Sequence, residues 1–179
     1  MRIISGKYKS RIIKVPANFK ARPTTDFARE NLFNILTNII DWEDTIALDL
    51  FSGTGSIAFE LVSRGCPRVV SVEANQMHYK FICNTMDTLK ANELWPLKAD
   101  VFKYLKNNHE KFDFIFADPP YDLPQLNTIP DIIFSKELLK PEGLFILEHS
   151  SNNDFSEHPH FWKLKKYGSV NFSMFQKEA

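Results

Sequence analysis

The chain has 179 residues, 44% hydrophobic and 25% charged, the balance of an ordinary soluble protein long enough to bury one sizeable core. No apolar stretch reaches the ~18–20 residues that span a bilayer, and the basic N-terminus is not followed by an apolar run, so a membrane protein and a secretory signal are not expected and the cytoplasm is the expected location. Cys66 and Cys83 have neither metal-site nor disulfide-framework spacing and the 5 histidines are scattered, so no metal is expected.

A formal net charge of +0 hides an asymmetry. Arg2, Lys7, Lys9, Arg11, Lys14, Lys20 and Arg22 all precede the first acid, Asp26; taking those 7 from the 22 basic residues leaves 15 against 22 acidic ones. A local basic surface that meets polyanion is the expected consequence. Residues 1–22 read as a basic β-hairpin or extended arm within the same domain, with Ile3, Ile4, Tyr8, Ile12, Ile13 and Val15 packing between the cations and Ser5-Gly6 as a turn. Lys7, Lys9 and Arg11 are its candidate phosphate contacts.

Residues 23–179 form the main body. Arg22-Pro23-Thr24-Thr25-Asp26 reads as a helix N-terminus, with a Thr cap and an acid suited to the helix dipole. Apolar residues at helical spacing carry that helix to about Ile40. Strands and helices then alternate: strands over Ile46–Phe51, Arg68–Glu73, Leu94–Ala99, Phe112–Ala117 and Leu144–Glu148, with helices through Leu61, over Gln76–Lys90, around Phe102–Leu105 and near Pro130–Phe134. Such alternation predicts an α/β fold, a mostly parallel doubly wound sheet with helices on both faces. Trp162–Tyr167 and Ser169–Phe175, joined around Gly168, are expected to finish the sheet edge as an antiparallel pair. Glu148 reads as a strand-end hydrogen-bonding group, His149 as lying outside the site, and the two cysteines as core residues.

Chemistry gathers where strands end. Phe112–Ala117 stops at Asp118-Pro119-Pro120-Tyr121, and the two prolines remove two backbone donors from a rigid loop. A carboxylate, bare carbonyls and an aromatic face suit a planar amine, whose hydrogens the oxygens accept while the ring stacks on the base. Earlier, Asp49-Leu50-Phe51-Ser52-Gly53-Thr54-Gly55 turns from strand into helix, with glycines that let backbone pass close to a ligand. Glu73 ends the next strand 20 residues after Gly53, where an acid accepts ribose hydroxyls, and Asp100 ends the third, within reach of an adenine amine. An adenosine-containing cofactor is expected. The Gly53-x-Gly55-x-x-Ala58 spacing also fits a dinucleotide. Asp49, however, opposes a pyrophosphate and suits an ammonium and sulfonium, and hydride transfer has no use for an amine-holding loop, so S-adenosylmethionine is preferred over NAD.

Taken together, Arg2-Ile3-Ile4-Ser5-Gly6-Lys7-Tyr8-Lys9, Arg22-Pro23-Thr24-Thr25-Asp26, the Asp49–Gly55 turn, Ser63-Arg64-Gly65, Val72-Glu73 and Asp118-Pro119-Pro120-Tyr121 resemble the bacterial RsmD family over nearly the whole chain. The resemblance implies a Rossmann-like methyltransferase domain over 23–179 that methylates a guanine N2 amine of small-subunit (16S) ribosomal RNA. It implies Asp49, Gly53 and Gly55 at the methionine end of the cofactor, Glu73 at its ribose and Asp100 with Val101 at its adenine, with Phe51 and Ala74 also among the cofactor-binding residues. Arg22 and Thr24 line the same pocket; Asp118, Pro119, Pro120 and Tyr121 meet the guanine. The implied partner is ribosomal RNA or its assembly with ribosomal proteins, and the chain is expected to be a monomer. Ser52, Ala74-Asn75 and Phe59 depart from the family pattern. An adenine-N6 methyltransferase acting on DNA or RNA is the alternative activity, since Asp-Pro-Pro-Tyr is similar to the loop of that class; a binding module that has lost its chemistry is a further one.

Overall fold

The computed structural model describes residues 1–19 and 24–179; the expectation for Arg22 lies outside them. Seven strands form one sheet: β1 (Ile46–Leu50), β2 (Arg68–Glu73), β3 (Leu94–Lys98), β4 (Phe112–Ala117), β5 (Leu139–His149), β6 (Phe161–Tyr167) and β7 (Val170–Gln176). Their order is β3-β2-β1-β4-β5-β7-β6, with the first five parallel and β7 antiparallel to both its neighbours. The expected antiparallel pair therefore exists, and β7 rather than β6 docks against β5.

Strand alternation sends side chains into two cores, and the helices cover both. On one face Ala47, Phe114 and Phe116 pack under α1 (Asp26–Leu36), α2 (Ser56–Arg64) and α3 (Gln76–Leu89). On the other Leu48, Leu50 and Ile115 pack under α4 (Val101–Asn107) and α5 (Ile129–Ser135). Burial on both sides explains why the central strands are nearly continuous in apolar residues.

Two boundaries differ from expectation for local reasons. Helix α1 ends at Leu36, four residues early, and Ile39 is left exposed. Thr37-Asn38-Ile39-Ile40 is β-branched or backbone-competing, and the Asn38 amide donates to the Asn34 carbonyl at 3.1 Å. Strand β5 begins five residues before Leu144, but the turn signals in Lys140-Pro141-Glu142-Gly143 are real: pairing jumps from Phe112–Leu139 to Phe114–Leu144, and Glu142 has φ 63°.

The N-terminal arm is an irregular hairpin docked along α2, not a solvated tail. Its backbone closes by Ile3 N–H to Arg11 O at 3.0 Å and Ile13 N–H to Met1 O at 2.8 Å, with one bridge between Arg2 and Ile12. Ile3 and Tyr8 are buried in the core that α1 and α2 share, whereas Ile12, expected to pack, is exposed. The buried Glu60 carboxylate accepts from the backbone N–H groups of Ile4 and Ser5 at 2.9 and 3.0 Å and from Arg64 Nε at 2.9 Å. Gly6 is required at the tip: its φ is +83°, and a Cβ there would lie 1.7 Å from the Ser63 carbonyl oxygen. Among the described residues no helix is long and apolar enough to cross a membrane, and no three His, Cys, Asp or Glu side chains are placed to hold a metal ion.

Candidate active site

The strand order reverses between β1 and β4, and a cleft opens beyond the carboxyl ends of the strands at such a switch point. A cavity of about 620 Å³ lies there, within the range of small-molecule sites. Its wall is contributed by the turns after β1, β2, β3, β4 and β5, so residues far apart in sequence converge on it.

The first turn is built under strain. Phe51 leaves β1 with φ 59°, a conformation costly for a bulky residue, and Ser52 N–H donates to Val72 O at 3.1 Å to hold the reversal. The turn is completed by Gly53 (φ 57°) and Gly55 (φ 78°), the latter serving as N-cap of α2. Beneath the turn Asp49 is 1% exposed, and its Oδ2 has no hydrogen-bond partner. Burial pushes its carboxyl up to about 8, with the nearby Glu73 charge adding to the effect. A buried carboxylate oxygen without a partner departs from the usual satisfaction of buried polar atoms.

Glu73 is oriented by backbone. One oxygen accepts from Gly53 N–H at 2.7 Å and the other from Asn75 N–H at 2.8 Å, which leaves lone pairs on both for hydroxyl donors. Asn75 in turn caps α3 through the N–H groups of Met77 and His78. Asp100 caps α4 by accepting Lys103 N–H on Oδ1 at 3.0 Å, while also facing the cavity. At the far wall Thr24, from just before α1, donates to Glu148 Oε2 at 2.6 Å; Asp118 Oδ2 lies 3.3 Å from the same hydroxyl. A hydroxyl has one proton, so the shorter contact takes it. The Tyr121 hydroxyl donates to Glu148 Oε1 at 2.8 Å, fixing the ring at the rim beside Pro119 and Pro120. Among the described residues the wall holds five carboxylates (Glu73, Asp100, Asp118, Asp122 and Glu148) and no Lys or Arg. Its electrostatics suit a cation and oppose a pyrophosphate.

The profile of the family described as Conserved hypothetical protein 95 matches residues 1–176. The chain belongs to this family. It is the RsmD family that the sequence resembles. Similar proteins named Ribosomal RNA small subunit methyltransferase D occur in Escherichia coli K12, at 29% identity over 100% of this chain and 91% of the relative, and in Buchnera aphidicola of Baizongia pistaciae, at 30% over 93% and 85%. A solved Escherichia coli structure, provisionally named the methyltransferase yhhF, superposes with TM-score 0.87 at 27% identity, over 100% of this chain and 98% of the other. The fold is the Rossmann-like methyltransferase fold.

Within this family member, most of the expected site residues meet. Thr24, Phe51, Gly53, Glu73, Ala74, Asp100, Val101, Asp118, Pro119, Pro120 and Tyr121 all line the same cavity, whereas Asp49, buried two residues before Phe51, does not line it. Gly55 does not line it. A Cβ there would meet the Phe59 ring at 2.9 Å and Ile82 at 3.2 Å, so its role is to let α2 start in a left-handed conformation against the core. Lys7, Lys9 and Arg11 do not line the cavity either, and Lys7, at the arm tip, stands farther off. Lys7 N–H donates to Ser63 O near the end of α2, whose first residue is at the cavity, and nine helical residues span ~13 Å. Lys7 also pairs with Glu93, and the Arg11 guanidinium lies 5.7 Å from the Tyr8 ring centroid. His149 lies outside, as expected: it is buried, its Nε2 meets Ser173 Oγ at 2.7 Å and its Nδ1 meets Ser150 O at 2.7 Å, and burial holds its pKa below the usual value. Cys66 is a core thiol that burial pushes up to about 12. Glu148 carries more than a generic strand end does. Its partners are 124 and 27 residues away, and no spacing rule connects them.

Proposed function

We propose that the protein transfers a methyl group from S-adenosylmethionine to the exocyclic N2 amine of a guanine in 16S ribosomal RNA, working in the cytoplasm as a monomer. The observation that carries the reading is the acidic cavity lined by the Asp118–Tyr121 loop, with a buried, unpartnered Asp49 oxygen at the end of the neighbouring strand β1. Relatives named as small-subunit ribosomal RNA methyltransferases support the substrate class.

Asp49 and the Gly53 turn would hold the amino-acid end of the cofactor, Glu73 and Ala74 its ribose, and Asp100 with Val101 its adenine, while Phe51, Thr24 and Arg22 enclose it. S-adenosylmethionine, when bound, supplies an electrophilic methyl group on a cationic sulfur that departs as a neutral thioether. The chain supplies position, which in well-oriented cases is worth ~7–11 kcal/mol. Asp118 and the Pro119 carbonyl accept the two amine hydrogens, turning the nitrogen lone pair out of conjugation and toward the methyl carbon. As the N–C bond forms and the S–C bond breaks, Asp118 faces the positive charge that develops on nitrogen. One proton then leaves the nitrogen, to Asp118 or water, and N2-methylguanine remains. Pro120 offers no competing N–H. The Tyr121 ring, held through Glu148, stacks on a guanine splayed out of the RNA.

The test is transfer of labelled methyl from S-adenosylmethionine into small-subunit ribosomal RNA, protein-free and as ribosomal particles, with nucleoside analysis. Label in N2-methylguanosine is the expected result; label in N6-methyladenosine would move the assignment to the adenine class. Asp118→Ala is expected to lower turnover by about 10²-fold or more while cofactor still binds. Full activity in that variant would remove Asp118 from the reaction.

A further inference from the structure

On the reading above the cavity takes the cofactor and one target base, so the groups that grip the rest of a substrate strand must lie on the surface around it. The expected gripping surface, the arm tip, sits about one helix length away. A second one exists on the opposite flank. Residues 158–177 contain Lys163, Lys165, Lys166 and Lys177 and no acid. They form β6 and β7 at the β5 edge of the site.

Register settles which way these side chains point. Lys165 pairs with Phe172 and Lys163 with Met174, and both partners belong to the core beneath α1. Lys163, Lys165 and Tyr167 therefore emerge on the α1 side of the outermost strand, with ~7 Å between successive members. Tyr167 ends β6 level with the cavity: its neighbour Lys166 lies in line, through Asn171, with His149, the residue after Glu148. Two strand spacings, ~10 Å, separate it from that wall. Against Tyr167 stands Phe27, ring centroids 6.2 Å apart at 87°, and Phe27 is 65% exposed on the first turn of α1, three residues after Thr24 of the cavity wall. The acids beside Phe27 are already partnered, Asp26 by Arg29 at 2.7 Å and Glu30 by Arg2 at 3.5 Å. Among the described residues no ion pair involves Lys163, Lys165 or Lys166.

We propose that Phe27 and Tyr167 form a stacking platform for a nucleotide flanking the target base, with Lys163 and Lys165 taking the phosphates that follow, so that single-stranded RNA leaves the active site across α1 and the β6 edge. This rests on the RNA reading above and deepens it. An exposed aromatic face beside regularly spaced cations is the chemistry of single-strand binding, where stacking serves any base. A protein partner would have no use for a lysine ladder without acids of its own, and the cationic strip is matched to polyanion.

The experiment measures binding and methylation of a small-subunit ribosomal RNA fragment by the parent protein, Phe27→Ala, Phe27→Trp and Lys163→Ala/Lys165→Ala across a salt series. Phe27→Ala is expected to weaken RNA binding and raise KM by about 5- to 150-fold, with kcat at saturating RNA, cofactor affinity and thermal unfolding unchanged. Phe27→Trp restores the affinity. The double lysine variant is expected to flatten the slope of log affinity against log salt by about 1.4, at ~0.7 for each single-strand phosphate contact. If the parent methylates RNA while Phe27→Ala keeps its KM and the lysine variant its slope, the platform is wrong and the methyltransferase reading stands. If the parent transfers no methyl to RNA, both fall.

Discussion

Two fully buried carboxylates on neighbouring elements of the same core face have opposite surroundings. Glu60, in α2, has its oxygens occupied by the N–H groups of Ile4 and Ser5 and by Arg64, all supplied by the chain. Asp49, at the end of β1 under the first turn of the same helix, keeps one oxygen unpartnered, and burial drives its carboxyl toward the neutral form. A buried charge with a complete set of internal donors fastens a structure. One left incomplete near a cavity is matched to something that arrives from outside. The N-terminal arm and the end of β1 thus use the same functional group for holding and for receiving.

The largest effect is expected at the holding end. Glu60→Ala leaves two backbone donors and the Nε–H of a nearly buried guanidinium without an acceptor, although that guanidinium keeps Thr37 Oγ1 at 2.9 Å; the loss is about 3–5 kcal/mol. At ~2–4 °C per kcal/mol for a chain of this size, Tm should fall by roughly 6–20 °C in a calorimetric scan. A change of under about 2 °C would mean that the arm is hardly fastened by this group.

At the receiving end the signs reverse. Asp49→Asn removes a charge that the apo protein does not want, so thermal stability at pH 8 should hold or rise. Cofactor affinity should fall by about 10- to 150-fold, the worth of a hydrogen bond to a charged group. The pH dependence follows from the raised pKa. Between its ordinary value of 3.8 and about 8 the unfolded chain is ionised while the folded one keeps its proton. This group therefore costs the apo protein stability as pH rises through that window and adds no slope above it. A cationic ligand draws out the proton, so binding in the window should release it. Calorimetric titration in buffers of different ionisation enthalpy reads that release. Equal proton release from the Asn variant would assign it elsewhere.

A smaller change sharpens the cavity half of the contrast. Tyr121→Phe keeps the ring for stacking but removes the tie to Glu148. About 0.5–1.5 kcal/mol is at stake, so KM for RNA should rise by about 2- to 13-fold, against a larger rise in Tyr121→Ala. Equal defects in the two variants would mean that the hydroxyl, not the ring, is what the RNA needs.

What could be read from residues alone was whatever local order encodes. Strand–helix alternation has a period that neighbouring side chains enforce, and it put Asp49, Glu73, Asp100 and Asp118 at strand ends, where parallel sheets gather their ligands. The strained turn at Phe51-Ser52-Gly53 was legible through its glycines. Contacts between distant segments were not. Glu148 joins Thr24 to Tyr121, β7 slips between β5 and β6, and Phe27 meets Tyr167 only because the sheet closes against α1. The arm's cations read as a phosphate surface; Glu93 and Glu60 pin the arm tip along α2, while its first residue, Met1, comes within 3.5 Å of Thr54 in the cavity wall. Charge along a chain says how much potential a segment carries; which way it faces depends on the packing of apolar residues such as Ile3 and Tyr8, and that is decided by the whole fold at once.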